Sequence, residues 1–454
     1  MDMFVVRGGK PLQGRVIVRG SKNAALPIMA AALAADGTTT LQNVPDLVDV
    51  STLSKVLETL GVQVEQRPAW ELRITPRNSR PCVADYELVR RMRASVCVLG
   101  PLLGRRGAAC VSLPGGCQIG HRPIDLHLKG LAALGADIRL ENGYVHATAA
   151  RLRGTQIHLA GPQGSTVTGT CNVMTAACFA TGTTVITAAA CEPEVVDLGN
   201  FLNQAGARIS GLGTSTLEIR GTGGYQGTEY AIIPDRIEAA TFLLAGAITG
   251  GDLLVEHLRP DHLLMVTQLL RDLGADITQG PKSLRIQRTG ALRPLDIAAQ
   301  PFPGLPTDVQ AQFSAVLMLA AGTSTVIDHV FPDRFLHLPE LARMGANVIR
   351  EGQTARIEGV ARLSGAQVMA SDLRASAALL LAALAADGET TIRRVYHLDR
   401  GYERFEERLR GVGANISRKT DSPSTLPLEF SEIPSPSALP APHFLSMPVA
   451  KATR

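Results

Sequence analysis

One short stretch, residues 112–127, combines a thiol, three glycines and an arginine. Cys117 lies between Gly116 and Gly120 and comes five residues before Arg122. Glycine tolerates positive φ angles, so this segment is predicted to be a flexible loop. A thiol on a glycine-rich loop next to a cation is a setting in which a cysteine becomes reactive. An incidental loop around a small packed cysteine is the alternative interpretation, because Cys often serves as a core residue.

Composition limits the classes of protein to which the chain can belong. With 454 residues, 45% hydrophobic and 19% charged, it has the composition of a globular protein of two or three domains. Aromatic residues make up 4% and the formal charge is +4, so nucleic-acid binding is not indicated. No apolar run approaches the ~18 residues that a membrane span needs, and no signal peptide is recognisable. We therefore expect a protein with no membrane partner.

The cysteines argue for a reducing compartment. There are seven, an odd number, and no two of them form a C-x-x-C pair. Neither a disulfide framework nor a zinc site is expected from such a pattern. The glycine pairs do not form a dinucleotide fingerprint, and no P-loop is present. We expect a cytoplasmic protein that binds no metal.

Six copies of one unit make up the chain as far as residue 417. A glycine that ends a helical pattern and opens an alternating apolar one recurs about every seventy residues, at Gly61, Gly135, Gly206, Gly274, Gly345 and Gly413. A second glycine ends another helix in each copy, at Gly37, Gly107, Gly182, Gly250, Gly322 and Gly388. The pattern predicts an α/β protein of six βαβαββ-type units, three in each of two domains. Residues 418–454 are rich in Pro and Ser and are predicted to be a disordered tail.

Polar residues mark the start of one helix in every copy, at a constant distance before the second glycine. They are Asn23, Arg93, Thr168, Arg236, Asp308 and Arg374, and Lys22, Asp235 and Asp372 lie beside them. Helix capping accounts for Asn23, Thr168 and Asp308. It does not account for the cations, because a positive charge opposes the helix dipole at this end. The cations indicate a shared anionic ligand, with structural ion pairs as the alternative.

The Cys loop is an insertion into this regular unit. Its copy is longer than any other between the second glycine and the following turn, and the excess is residues 114–120. Extra loop length on a rigid scaffold usually serves binding or catalysis. Arg122 and Arg400 lie at equivalent turns, so together with Lys22 they could clamp a molecule that carries phosphate and carboxylate. Asp308 could act as a general base, although surface ion pairs and capping remain alternatives.

These residues together resemble the enolpyruvyl transferase family, and in particular its members that act on UDP-N-acetylglucosamine. The resemblance covers residues 1–417 and rests on seven motifs. They are Gly20-Ser-Lys-Asn-Ala-Ala-Leu-Pro27, Met92-Arg-Ala-Ser95, the segment from Leu113 to His127, Pro234-Asp-Arg-Ile-Glu238, Pro306-Thr-Asp-Val-Gln-Ala-Gln312, Asp372-Leu-Arg-Ala-Ser376 and Asp399-Arg-Gly-Tyr-Glu-Arg404.

The resemblance implies a fold and a chain path. The family has two inside-out α/β barrel domains with the active site in the cleft between them, and its first strand belongs to the second domain. The first domain is then 22–233, with a Cys lid loop at 112–123. The second domain combines 1–21 with 234–417.

The resemblance also implies a reaction, the first committed step of peptidoglycan precursor synthesis. The enolpyruvyl group of phosphoenolpyruvate passes to the 3-hydroxyl of UDP-N-acetylglucosamine and phosphate is released, without redox cofactor or metal. Cys117 acts as general acid, Asp308 takes or orients the hydroxyl proton, and Lys22 assists catalysis. The phosphoenolpyruvate ligands are Lys22, Asn23, Arg122 and Arg400. The nucleotide-sugar contacts are Asn23, Arg93, Arg122, Pro123, Ile124, Asp125, Leu126, Asp308 and Val330. The supporting charges are Asp235, Arg236, Asp372 and Arg374.

Other functions stay open at this point. Within the family, enolpyruvyl-shikimate-phosphate synthase is the runner-up, although that enzyme is expected to lack the Cys loop. A non-catalytic nucleotide-sugar binder and a structural repeat protein come from other classes. The first would not need Cys117, Asp308 and Arg400, and the second would not need cations at helix starts. The segment 166–170 departs from the family pattern, which leaves the uridine contacts there open.

Overall fold

The computed structural model describes residues 2–113, 115 and 123–420, which belong to one compact unit. Cys117 and Arg122 lie outside the described residues, as do residues 421–454. Among the described residues, no helix has both the length and the apolar character required to cross a membrane.

Helices account for the long apolar segments of the sequence. Within the described ranges three 3-10 helices are formed, Arg93–Val98, Pro260–Leu263 and Val395–Arg400. The α-helices are α1 Lys22–Ala32, α2 Val48–Thr59, α3 Tyr86–Val89, α4 Leu99–Arg106, α5 Asp125–Ala133, α6 Val167–Ala177, α7 Pro193–Gln204, α8 Arg236–Thr249, α9 Leu264–Asp272, α10 Thr307–Leu317, α11 Leu338–Arg343, α12 Leu373–Ala385 and α13 Phe405–Gly411.

Strands are short throughout. In chain order they are β1 Asp2–Arg7, β2 Gln13–Ile17, β3 Thr39–Gln42, β4 Val62–Arg67, β5 Glu71–Pro76, β6 Val83–Ala84, β7 Ala108–Ser112, β8 Asp137–Glu141, β9 Tyr144–Thr148, β10 Gln156–His158, β11 Ala160–Gly161, β12 Gly164–Ser165, β13 Thr183–Thr187, β14 Arg208–Ser210, β15 Thr216–Arg220, β16 Glu229–Ala231, β17 Asp252–Glu256, β18 Asp276–Gln279, β19 Ser283–Gln287, β20 Asp296–Ala299, β21 Thr323–Asp328, β22 Asn347–Glu351, β23 Thr354–Glu358, β24 Gln367–Met369, β25 Glu389–Arg393 and β26 Asn415–Thr420.

Six four-stranded sheets in the described part of the chain share one pairing pattern. The first pair of strands is parallel and the other two pairs are antiparallel. The strand orders are β16-β3-β5-β4, β6-β7-β9-β8, β10-β13-β15-β14, β2-β17-β19-β18, β20-β21-β23-β22 and β24-β25-β1-β26. Strands β11 and β12 form a separate two-stranded ribbon. The repeated pattern matches the repeated sequence unit copy by copy.

The two sets of marker glycines explain why each copy turns where it does. All twelve have positive φ angles, from 65° at Gly250 to 138° at Gly322. Gly107 and Gly250 are left-handed C-caps of α4 and α8. Residues with a Cβ are disfavoured at such angles, so glycine is the residue that lets each helix stop and the next strand begin.

Three strands join sheets that are distant in sequence. Strand β16 follows the third unit but completes the sheet of β3, in the first unit. Strand β2 precedes the first unit but pairs with β17, in the fourth. Strand β1 lies between β25 and β26 in the sixth unit, with Asp2 opposite Thr420. Units one to three and units four to six are thereby each closed by strand pairing.

Two hydrophobic cores form beneath these sheets. One is built from residues between 24 and 232, and the other from residues 4–18 together with 237–416. Helices α8, α10 and α12 pack against one another in the second core and are buried along almost their whole length. A helix that is apolar on all sides must be surrounded by protein, and here the sheets lie outside it.

The chain passes twice between the two cores, and the two passages lie side by side. Gly20 and Pro234 form an antiparallel bridge. Ser21 N donates to Ile233 O over 2.7 Å, and Asp235 N donates to Arg19 O over 2.8 Å. The passages lie beside residues 21 and 234, the domain boundaries that the resemblance implies.

One predicted boundary is wrong by three residues. The tail was expected to begin at 418, but residues 418–420 belong to β26 and pair with β1. Arg418 explains the extension, because its guanidinium binds Asp399 at 2.6 Å and Glu406 at 2.6 Å. The disorder predicted for residues 421–454 falls outside the described residues.

Candidate active site

One cavity of about 560 Å³ lies where the marked helix starts meet. All six repeat-derived residues line it: Asn23, Arg93, Thr168, Arg236, Asp308 and Arg374. They stand at the first or second residue of α1, the 3-10 helix Arg93–Val98, α6, α8, α10 and α12. Helix starts carry a partial positive charge, so their convergence favours a ligand with negative charge.

Helix capping is the alternative explanation for Asn23, Thr168 and Asp308, but other residues begin these helices. Ser21 caps α1 by accepting from Ala24 N at 3.3 Å, and Thr166 caps α6 by accepting from Gly169 N at 3.2 Å. Helix α10 begins after Pro306 and has no side-chain cap. The side chains of Asn23, Thr168 and Asp308 are therefore not needed as caps.

Asp235 and Asp372 are helix caps that lie next to the site. Asp235 Oδ1 accepts from Ile237 N at 2.8 Å and Glu238 N at 3.0 Å, and its Oδ2 accepts from Lys22 N at 3.3 Å. Asp372 Oδ1 accepts from the backbone N–H groups of Arg374 and Ala375. Each carboxylate fixes the start of a helix whose first turn bears a cation.

Lys22 and Arg400 meet at a buried carboxylate. Lys22 Nζ lies 3.2 Å from Asp49 Oδ2, and Arg400 Nε lies 2.9 Å from Asp49 Oδ1. The side chain of Asp49 is 4% exposed. Three residues from separate parts of the chain thus form one charged group at the cavity wall, and two of them are predicted phosphoenolpyruvate ligands.

Asp308 is bound by three side chains. Its Oδ2 accepts from Arg374 Nη2 at 2.8 Å and from Asn23 Nδ2 at 3.1 Å, and its Oδ1 lies 2.8 Å from Arg334 Nη1. Burial would raise the pKa of Asp308, but the charges of Arg374 and Arg334 outweigh it and hold the pKa well below its ordinary range. The carboxylate is ionised at any working pH.

Arg236 forms a structural ion pair, which is the alternative to binding an anionic ligand. Its Nε and Nη2 donate to Glu194 Oε1 and Oε2 at 2.9 and 3.1 Å, and both side chains are buried. A bidentate buried pair uses most of the guanidinium. Arg236 lines the cavity, but its charge is neutralised by Glu194.

The predicted nucleotide-sugar contacts divide into two groups. Arg93, Pro123, Asp125, Leu126 and Val330 line the cavity. Arg93 Nη2 donates to the carbonyl oxygen of Pro123 over 2.9 Å, which holds the segment that enters α5. Ile124 instead belongs to the hydrophobic core and is 8% exposed. The turn of β11 and β12 and the start of α6, residues 161–168, also line the cavity.

Sequence reasoning missed Asp49 and Arg334. Both follow closely on the Pro-acid turns that open a helix in each copy, at Pro45-Asp46 and Pro332-Asp333. Arg400 follows the equivalent turn at Asp399. Arg334 and Arg400 each directly follow the acidic residue of the turn, so comparing that position across the copies would have found Arg334. Asp49 lies three residues after Asp46, at a position that the comparison does not mark.

Among the described residues, no group of three or more His, Cys, Asp or Glu side chains could hold a metal ion. The polar groups of this cavity are instead guanidinium, ammonium, carboxylate and amide groups, which suit an organic anion.

A solved structure with the same fold shows the class to which the protein belongs. The crystal structure of the enolpyruvyl transferase NikO from Streptomyces tendae matches with a TM-score of 0.83 and 26% identity, over 93% of this chain and 99% of that chain. The protein is a transferase of this class. More particularly, residues 6–409 match the family described as EPSP synthase (3-phosphoshikimate 1-carboxyvinyltransferase), and the chain belongs to that family.

Relatives within the family carry one name. The UDP-N-acetylglucosamine 1-carboxyvinyltransferase of Methylacidiphilum infernorum is 51% identical over 418 residues, which cover 92% of this chain and 99% of the relative. That of Anaeromyxobacter sp. (strain K) is 53% identical over 424 residues, with the same coverage. The resemblance inferred from the motifs is confirmed.

Proposed function

We propose that this chain transfers the enolpyruvyl group of phosphoenolpyruvate to the 3-hydroxyl of UDP-N-acetylglucosamine and releases phosphate, as the first committed step of peptidoglycan precursor synthesis. One observation carries the proposal. Lys22, Arg400, Arg334 and Arg374 meet around Asp308 and Asp49 in a single cavity. The names of the relatives at 51% and 53% identity supply the acceptor.

The charges suit the donor. Phosphoenolpyruvate carries a phosphate and a carboxylate close together, and each can be bound by a pair of cations. We assign Lys22 and Arg400, with Arg122, to the phosphate. Arg334 and Arg374 meet at a different carboxylate, Asp308, and suit the carboxylate of the donor. Asn23 lies beside them through its bond to Asp308.

The chemistry is an addition followed by an elimination. In the addition, the acceptor oxygen bonds to C2 of phosphoenolpyruvate, Asp308 takes the hydroxyl proton, and Cys117 gives a proton to C3. In the elimination, the bond from C2 to the phosphate oxygen breaks, phosphate leaves, and C3 returns a proton to the Cys117 thiolate, which restores the double bond and the thiol. Cations stabilise the charge that develops on the leaving phosphate. Cys117 and Arg122 enter by resemblance, because they lie outside the described residues.

We further propose the two-domain division at 22–233 and at 1–21 with 234–417. The two cores, the closure of each set of three units and the paired passages near Gly20 and Pro234 support it. The active site then lies in the cleft between two barrels of three βαβαββ units. We place the protein in the cytoplasm, on the unpaired cysteines and the phosphorylated donor.

The test is phosphate release with each acceptor. Purified protein is supplied with phosphoenolpyruvate and either UDP-N-acetylglucosamine or shikimate 3-phosphate, the acceptor that the family description suggests. We expect release with the nucleotide sugar alone, and a product heavier by one enolpyruvyl group. Release with shikimate 3-phosphate only would overturn the choice of acceptor.

A further inference from the structure

The cations at the anion end of the cavity are already held by resident carboxylates. Asp49 binds Lys22 and Arg400, and Asp308 binds Arg334 and Arg374. Asp308 uses one oxygen for each arginine, and Asp49 receives Arg400 on both oxygens and Lys22 on Oδ2. An incoming anion must therefore compete with Asp49 and Asp308 for the groups that are to bind it.

Asp308 is a weak base as long as it keeps these partners. A general base works best when its pKa lies near the working pH, because the driving force for proton transfer follows its basicity. The charges of Arg374 and Arg334, against the opposing effect of burial, hold the pKa of Asp308 well below its ordinary range. In this arrangement the carboxylate has little tendency to take a proton from a sugar hydroxyl.

The charged surroundings of Asp308 are cationic. Besides Arg334 and Arg374, Lys22 contributes from α1, whereas the charge of Arg236 on α8 is neutralised by its pair with Glu194. Arg334 also donates from Nη1 to Thr307 Oγ1 at 3.1 Å, and Thr307 donates its hydroxyl to Asp328 at 2.7 Å. Asp328 is engaged by the backbone N–H groups of Val330 and Phe331. Asp235 also acts on Arg374 through space, but the carboxylate that contacts both Arg334 and Arg374 is that of Asp308.

We propose that Asp308 is a masked base, and that the anionic substrate unmasks it by taking over Arg334 and Arg374. The identity of the anion rests on the proposed function. When the carboxylate of phosphoenolpyruvate receives the two guanidinium groups, Asp308 loses its counter-ions and gains a neighbouring negative charge. Both changes raise its affinity for a proton at the moment when the acceptor hydroxyl must lose one.

Anion binding and protonation of Asp308 are thermodynamically linked, so the proposal can be tested by binding measurements without measuring turnover. If the bound anion favours protonation of Asp308, protonation of Asp308 must favour the anion by the same factor. The amide of Asp308→Asn has the shape of the carboxyl group but no charge to compete for the arginines. The variant should therefore bind phosphoenolpyruvate more tightly while it loses turnover.

The first experiment measures the Kd of phosphoenolpyruvate by calorimetry in a Cys117→Ser background, which prevents covalent addition to the thiol. We expect Asp308→Asn to lower the Kd by about threefold or more. Asp333→Asn is the matched control, since Asp333 is the sequence neighbour of Arg334 but lies on the surface, 70% exposed, and pairs with Arg350. The control should leave the Kd unchanged. An unchanged or higher Kd in Asp308→Asn, with its melting temperature preserved, would overturn the proposal.

A second measurement covers the case in which the amide disturbs the arginines. Phosphoenolpyruvate is titrated at about pH 5 in two buffers of different ionisation enthalpy, so that protons taken up on binding are counted. The Cys117→Ser protein should take up more protons than the protein that also carries Asp308→Asn. Equal uptake would contradict the unmasking. Failure of the proposed acceptor is a separate result, since it shows as absent phosphate release in the unmodified protein while both binding results stand.

Discussion

Asp49 shows what a single buried carboxylate does in this site. It neutralises Lys22 and Arg400, which come from α1 and from the end of the 3-10 helix Val395–Arg400. Two cations this close repel each other, and burial strengthens the repulsion. Without Asp49 or an anionic ligand, the buried ammonium group of Lys22 would lose its carboxylate partner, which is costly.

Asp49→Asn should therefore destabilise the protein, and a bound anion should compensate. We expect the free energy of unfolding to fall by about 3 kcal/mol, because one member of a buried ion pair is removed. Phosphoenolpyruvate should raise the melting temperature of the variant more than that of the unmodified protein. Asp252→Asn is the control, since Asp252 pairs with Arg285 on the surface, where such a pair is worth about 1 kcal/mol or less. A variant as stable as its control would show that Asp49 is not the counter-ion described.

Cys117 is expected to differ in reactivity from the three buried cysteines, Cys97, Cys171 and Cys178. Burial raises the pKa of Cys97 and of Cys178 to about 12, and it raises the pKa of Cys171 well above its ordinary value. Few thiolates form at these positions at neutral pH. An epoxide phosphonate such as fosfomycin, guided by the cations of the site, should alkylate Cys117. The mass increase should appear on the peptide that contains Cys117, and labelling of a different cysteine would count against its role.

Cys117→Ser tests the same residue through turnover. The serine hydroxyl is a much weaker acid than a thiol, so most phosphate release should be lost, by about a hundredfold or more. Binding of UDP-N-acetylglucosamine, measured by calorimetry, should stay unchanged. Full turnover in the variant would remove Cys117 from the role of general acid.

The limits of sequence reasoning are visible in single side chains. Asn23, Arg93 and Asp308 could be found because they occupy equivalent positions in a repeat, and equivalent helix starts converge. Arg236 occupies such a position as well, but Glu194, which neutralises it, lies on α7 of a different unit. The sequence shows where a cation stands along its own helix. It does not show which carboxylate from another helix will reach it.

At the scale of elements, the glycines that end the helices were predictable and the partners of the edge strands were not. A positive φ angle is a local requirement of the backbone, and glycine satisfies it at any position in the chain. By contrast, Glu229–Ala231 joins a sheet whose next strand, β3, lies far back in the chain. A strand of three residues is too short for its sequence to specify a partner strand. Closure of the sheet therefore depends on the packing of the three units.

Gly20 is one of the positions at which the fold leaves no room for a Cβ. A Cβ there would overlap the carbonyl oxygen of Asn43, which is backbone and cannot turn away. Gly20→Ala should lower the free energy of unfolding by about 1–3 kcal/mol, and it should reduce turnover because Lys22 follows two residues later. Gly411→Ala is the control, since no atom lies near its Cβ position at the end of α13. Denaturant unfolding and phosphate release measure both effects, and equal stability of the two variants would contradict the predicted overlap.

At the scale of the whole molecule, the corrected boundary at Thr420 can be tested by truncation. A chain that ends at Thr420 should keep its melting temperature and turnover, because the residues up to Thr420 form one compact unit. A chain that ends at Ser417 loses Arg418 and its bonds to Asp399 and Glu406. Charge-assisted hydrogen bonds of this kind are worth about 1.5–3 kcal/mol each. The shorter chain should therefore melt at a lower temperature, and equal melting would return the boundary to 418.

The position of β1 has a consequence for the order of the chain. In the other units the last two strands are neighbours in sequence, as β4 and β5 or β22 and β23 are. In the sixth unit the last two strands are β26 and β1, with Thr420 opposite Asp2. These two strands pair as a hairpin would, but no turn joins them. A short linker from Thr420 to Asp2 would restore it and leave a circular chain in which no unit comes first. The protein should then tolerate new ends in another of its hairpins, such as the turn at Gly143, which is a circular permutation of the same fold.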